Sequence, residues 1–135
     1  MGEPHRHPLR VRYHECDPQG VVFNANYLAY ADMAITELFR DAFGSWEAPM
    51  TEHGLDMVVA EANVRYRAAL RFDEEVELVS SIERIGETSL LCSIAIERAG
   101  ETAAQISIRH VFVDAENRAK APIPAAVRER LAAYA

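Results

Sequence analysis

Asp17 stands in a short polar loop, Asp17-Pro18-Gln19-Gly20, a few residues ahead of an apolar-periodic segment that begins near Asn24. A helix N-terminus presents unpaired N–H groups and about half a positive charge. An acid close to such an end can attack a carbonyl carbon itself or deprotonate a water that does. The helix end then stabilises the negative charge that develops on the carbonyl oxygen. Pro18 and Gly20 would stiffen the acid's loop and let the backbone approach a ligand.

Other chemistry-bearing residues offer less. Cys16 with His14 could make a thiol and its base, but no third group is in place to orient the histidine. His5, His7, His14 and Cys16 match no closed zinc spacing, so no metal is expected. His110 alternates with Ile106, Ile108 and Phe112 and reads as a buried structural histidine. Glu61 reads as an ion-pair partner sooner than as a second acid. Arg65, Arg67 and Arg71 are either solvated or available to phosphate oxygens.

The elements that must position Asp17 follow from periodicity. From Pro8, residues Leu9, Val11 and Tyr13 alternate with Arg10, Arg12 and His14, which predicts a half-buried strand after a loose tail at residues 1–7. Asn24 is placed to cap a helix whose stripe is Tyr27, Leu28, Ala31, Ala34, Ile35, Leu38, Phe39 and Ala42, with Gly44 ending it. Residues 45–54 form a connector with room for one short helical turn. Period-2 alternation then predicts a long strand over about 57–67 and three more around 75–83, 90–96 and 106–112. Turns fall at Phe72-Asp73-Glu74, Gly86-Glu87-Thr88 and Ala99-Gly100-Glu101. Connections this short permit only antiparallel neighbours. Residues 125–135 predict a short C-terminal helix. One helical stripe and one sheet face must both be covered, so the sheet is expected to wrap the helix in a single two-layer α+β domain. The long strand reads as an edge that a second copy of the chain would pair.

Composition narrows the class. The chain has 135 residues, half of them hydrophobic, and a formal charge of −7. That is one globular domain, and the charge argues against general nucleic-acid binding. No apolar run is long enough to span a membrane, and the first residues lack the apolar core of an export signal. Two cysteines, Cys16 and Cys92, fit free thiols in a reducing cytoplasm.

The run RYHECDPQGVVFNANYLAYAD resembles the signature of the hotdog-fold acyl-CoA thioesterases, in particular the 4-hydroxybenzoyl-CoA thioesterase-like family. The matching positions are Tyr13, Asp17, Gly20, Val21, Val22, Phe23 and Tyr27. The resemblance implies a hotdog fold: one long central helix wrapped by a five-stranded antiparallel sheet, assembled as a homodimer or homotetramer with the site at the dimer interface. It implies Asp17 as nucleophile or general base and a backbone N–H at the helix start, by position that of Asn24, as the donor that polarises the thioester. Gly20, Val22, Phe23 and Tyr27 would contact the acyl-CoA or acyl carrier protein thioester, with Arg65 and Arg67 reaching the coenzyme A phosphates. No cofactor is implied, coenzyme A being part of the substrate. Two positions depart from the common pattern: Cys16, where many relatives have Thr or another polar residue, and Asp32, where they have Glu. A hotdog enoyl-CoA hydratase or dehydratase, which would need an Asp/His pair with His110, and a non-catalytic acyl-CoA-binding module are the alternatives.

Overall fold

The computed structural model describes residues 2–135. In chain order its elements are β1 (His5–Arg10), α1 (Asn26–Phe43), α2 (Ala48–Thr51), β2 (Leu55–Tyr66), β3 (Glu75–Ile85), β4 (Ser89–Arg98), β5 (Glu101–Asp114) and α3 (Ala125–Leu131). The strands form one antiparallel sheet in the order β1-β3-β4-β5-β2. The α+β class and the five antiparallel strands are therefore as the alternation implied. β1 and β2 lie on opposite edges, so the chain between them has to cross the sheet. α1 makes that crossing, packed on β1, β3, β4 and β5.

The packing follows from which residues face inward. Val76, Leu78, Ser80 and Ile82 on β3, Leu90, Cys92, Ile94 and Ile96 on β4, and Ile106, Ile108, His110 and Phe112 on β5 are all buried. Against them lie Tyr27, Tyr30, Ala31, Ala34, Ile35, Leu38, Phe39 and Ala42 of α1. Each large apolar side chain so placed contributes about 1.5–3 kcal/mol. The stripe differs from the sequence reading at one turn. Leu28 is 41 % exposed, whereas Tyr30 is fully buried. Tyr30 stands three residues after Tyr27 and four before Ala34, so its Cβ belongs on the stripe. A hydroxyl that finds a buried partner lets it stay there. Within one chain the sheet covers one face of α1, leaving Leu28, Asp32, Arg40 and Asp41 exposed.

The N-terminal stretch is more ordered than expected over its described residues, Met1 lying outside them. The sequence places residues 5–7 in a loose tail, yet His5, Arg6 and His7 lie in β1, where His5–Arg10 pair with Ser80–Glu75. Gly2 and Glu3 donate backbone N–H bonds to the carbonyls of Ala135 and Ala133, each at 3.1 Å. β1 also stops earlier than predicted. Val11 remains buried, but Tyr13–Glu15 form a 3₁₀ turn and Tyr13 is 79 % exposed. The cause is local: Glu15 Oε1 accepts the Arg12 N–H at 2.7 Å and turns the chain off the sheet. At the other end α3 buries Val127 and Leu131, and Arg130 donates to the Ala42 carbonyl at 2.9 Å, placing a cation at the end of α1.

The turns behave as their residues require. Ala99 and Gly100 both have positive φ, 52° and 81°, the geometry of a two-residue type I′ hairpin between β4 and β5. Gly44 takes a left-handed φ of 77° and its N–H closes on Arg40 O at 2.7 Å. β2 is an edge, as expected, with a bulge where the register jumps between Val59 and Glu61.

Candidate active site

The Asp17 loop is closed by its own backbone. Asp17 N–H donates to Val21 O at 2.8 Å and Gly20 N–H to Asp17 O at 2.9 Å, with Gly20 at φ 80°. The Gln19 N–H donates to Asp17 Oδ1 at 2.8 Å. One carboxylate oxygen is thus held by the turn, and Oδ2 has no hydrogen-bond partner among the described residues. Of two isolated bridges, Cys16 with Val22 joins the two arms of the loop, and Val21 with Arg71 pins it to the segment before β3. Val22 N–H adds a bond to Leu70 O at 2.8 Å.

The helix start differs from the predicted cap. Asn24 does not cap α1 with its side chain; the cap position is Ala25, also without a side-chain bond, and α1 begins at Asn26. Residues 24–25 form a turn instead, in which the Asn26, Tyr27 and Leu28 N–H groups donate to Phe23, Asn24 and Ala25 carbonyls at 2.9, 3.3 and 3.3 Å. Tyr66 O–H donates to Asn24 O at 2.9 Å, so that carbonyl is spoken for from both sides. The N–H groups of Asn24 and Ala25 have no acceptor among the described residues, while the Asn26 side chain donates to Glu15 O at 2.8 Å. Two free amides at a helix start are the arrangement that a developing oxyanion needs.

A cavity of about 300 Å³ opens at Asn24, lined also by Val22, Tyr27, Tyr66, Arg67 and Ala68 among others. Four predicted residues therefore meet there: Val22, Asn24, Tyr27 and Arg67. Asp17 and Gly20 sit in the adjoining loop and do not line it. Phe23 is half-exposed. Arg65 does not reach this cavity. With Arg67 it lines a broader groove of about 790 Å³ on the outer face of the sheet, beside Asn63, Ser93, Gln105 and Ser107. Arg65, Arg67 and Arg71, like Arg84, Arg128 and Arg130, form no ion pair with another described side chain, whereas Arg6, Arg10, Arg12, Arg40, Arg98, Arg109 and Arg118 do.

Sequence reasoning missed the groups that hold this arrangement together. Glu15 is buried and accepts Tyr30 O–H at 2.7 Å as well as the Arg12 N–H and, at 3.3 Å, the Arg12 guanidinium. Burial, the largest single influence, pushes its carboxyl up. The bonds from Arg12 and Tyr30 outweigh it and hold Glu15 below the usual carboxylate range. Burial and the Glu15 carboxylate raise the Tyr30 phenol, so it remains a donor. The signal for Glu15 was its spacing of three from Arg12; nothing local announced Tyr30 as its partner.

The remaining candidates fall away from the site. Burial and the Glu15 and Asp17 carboxylates push the Cys16 thiol up, the wrong direction for a thiolate nucleophile. Cys92 is buried and pushed up to about 12. Glu61 faces Arg109 at 3.7 Å, an exposed ion pair. His110 is buried with Nδ1 unpartnered, and burial lowers its pKa against a smaller opposing pull from Asp32.

The profile of the Thioesterase-like superfamily matches residues 11–131. The acyl-CoA thioester hydrolase YbgC of Escherichia coli O6:H1 is 36 % identical over 97 residues, covering 72 % of each chain. The long-chain acyl-CoA thioesterase FadM of Escherichia coli K12 is 26 % identical over 127 residues, covering 91 % of this chain and 93 % of that one. Among solved structures, a hypothetical protein from Aquifex aeolicus superposes with a TM-score of 0.87 at 26 % identity, over 95 % of this chain and 99 % of that one. Matched by that profile over residues 11–131 and built on one five-stranded antiparallel sheet, the chain belongs to the thioesterase-like superfamily and has its hotdog fold.

Proposed function

We propose that this protein hydrolyses acyl-CoA thioesters, with Asp17 as nucleophile or general base and the Asn24 N–H as the main oxyanion donor. One observation carries the reading: the Asp17 carboxylate keeps an unpartnered oxygen on a loop tied to the start of α1 through the Glu15 carbonyl, and the Asn24 and Ala25 N–H groups have no acceptor among the described residues. The relatives YbgC and FadM, named for acyl-CoA thioester hydrolysis, support the substrate class. In the reaction an oxygen nucleophile adds to the thioester carbon, and the carbonyl oxygen takes the charge and the amide bonds. The C–S bond then breaks, and the coenzyme A thiolate leaves and takes a proton. With Asp17 as general base the nucleophile is water. With Asp17 as nucleophile a mixed anhydride forms first and water opens it. Losing one oxyanion donor typically costs about 2.7–4 kcal/mol of transition-state stabilisation.

Val22, Phe23 and Tyr27 would line the acyl end, Gly20 would allow the backbone close to the thioester, and Arg65 and Arg67 would meet the phosphates of coenzyme A. Among the described residues neither arginine has a carboxylate partner, in a chain of net charge −7, which supports that assignment. The site would be completed by a second copy paired along β2, a 12-residue edge on which Val59 and Tyr66 are 58 % and 52 % exposed. The hydratase alternative gains no support, since His110 is buried in the core and not at the cavity beside Asn24.

The test is a panel of short-chain, long-chain and aromatic acyl-CoA thioesters, with an acyl carrier protein thioester beside them, read by release of free thiol. Turnover of at least one class is expected. Tight binding of acyl-CoA with no thiol released from any member would replace the enzyme reading by a binding module.

A further inference from the structure

We propose that Glu15 and Tyr30 are positioning residues: their buried hydrogen bond sets the Asp17 loop against the free amides at the start of α1. This rests on the thioesterase reading above and adds the device that aligns its two halves. Glu15 accepts bonds in two directions. Its side chain accepts from Arg12 N–H, the Arg12 guanidinium and Tyr30 O–H at 2.7, 3.3 and 2.7 Å. Its main-chain carbonyl accepts from Phe23 N–H at 2.9 Å and from the Asn26 side chain at 2.8 Å. Asp17 follows two residues later, and Asn24 follows Phe23. Any shift of Glu15 relative to α1 is therefore a shift of the carboxylate relative to the amide.

The choice of side chains fits this role better than packing. A buried carboxylate is costly unless fully hydrogen-bonded, and an apolar pair of similar volume often does as well for stability. Tyr30 has no exposed surface, and its hydroxyl has no hydrogen-bond partner among the described residues other than Glu15. A phenylalanine would fill the same space on the apolar stripe. The hydroxyl is explained only by the carboxylate, and the carboxylate by what it holds in register. Neither group lines the cavity beside Asn24.

Tyr30→Phe isolates the bond while keeping the ring. Acyl-CoA hydrolysis by this variant is expected to lose on the order of 10- to 100-fold in kcat, the size of a misaligned site, with KM changed less than about twofold. Glu15→Gln keeps an acceptor oxygen for Tyr30 and is expected to retain most of the kcat that Glu15→Ala loses. Ile35→Val, on the same buried stripe, is the control: a lower Tm with wild-type kcat. An unchanged kcat for Tyr30→Phe, beside an inactive Asp17→Asn, overturns the brace and leaves the thioesterase reading standing. So does equal loss in Tyr30→Phe and Ile35→Val. Absence of hydrolysis by the wild type, or its survival in Asp17→Asn, overturns the reading and the brace with it.

Discussion

The middle of α1 and its first two turns are built on different physics. In the middle, Ala31, Ala34, Ile35, Leu38 and Phe39 are all at most 1 % exposed and are held by burial against the sheet. At the start, Asn26 and Tyr30 are tied by hydrogen bonds to Glu15, eleven and fifteen residues earlier in the chain. Packing is non-directional and tolerates a small displacement; a carboxylate and an amide that act on one carbonyl do not. Stability and activity should therefore come apart along a single helix.

Substitutions in the middle should show the largest effect on folding and the least on turnover. Phe39→Ala removes a fully buried ring and is expected to cost about 3–5 kcal/mol of stability, measured by denaturant unfolding, with kcat per folded molecule unchanged. A matching loss of kcat would mean that the two stretches are not separable. Acid should act in two windows. The His110 pKa is held below 6.5 in the folded chain, so its contribution is complete above 6.5 and is lost as pH falls toward the lowered value. The Glu15 pKa is held below 4.5, so its contribution is complete above 4.5 and lost as pH falls further. The stability gap between wild type and Glu15→Gln should then be constant near neutrality and close below pH 4.5. A gap that stays open there would show that Glu15 is not ionised in the fold. The smallest effect belongs to the periphery. Arg67→Ala should raise KM for an acyl-CoA by roughly 3- to 10-fold, about the net worth of one ordinary hydrogen bond, at constant kcat. An equal rise for a thioester lacking the nucleotide would move Arg67 from phosphate contact to pocket wall.

What could be read from the sequence divides along the same line. The buried faces of β3, β4 and β5 and the stripe from Ala31 to Ala42 repeat with periods of about 2 and 3.6, so side-chain direction alone discloses them. Asp17 and its turn were legible because Pro18 and Gly20 mark the loop chemically. β2 was legible as an edge because its residues suit partial burial on both faces. The hydrogen-bonded start of α1 was not. Glu15 looks like any exposed acid until the 3₁₀ turn folds it under Tyr30. Asn24 has the right type for a cap, but Tyr66, forty-two residues away, holds its carbonyl in a turn and the helix starts later. β1 was read from Pro8 onward, but its first residues hid in a polar run because an edge strand can carry Arg6 outward to Glu77. The Glu15–Tyr30, Asn24–Tyr66 and Arg6–Glu77 contacts each join residues distant in the chain, which no local pattern records.

The central claim is that the Asp17 carboxylate performs the chemistry. Asp17→Asn keeps the size of the side chain and the oxygen that accepts the Gln19 N–H, so the loop should hold its shape. The account predicts an unchanged Tm and a kcat for acyl-CoA hydrolysis lower by about 10²- to 10⁴-fold. A folded Asp17→Asn protein that hydrolyses acyl-CoA at the wild-type rate would contradict it.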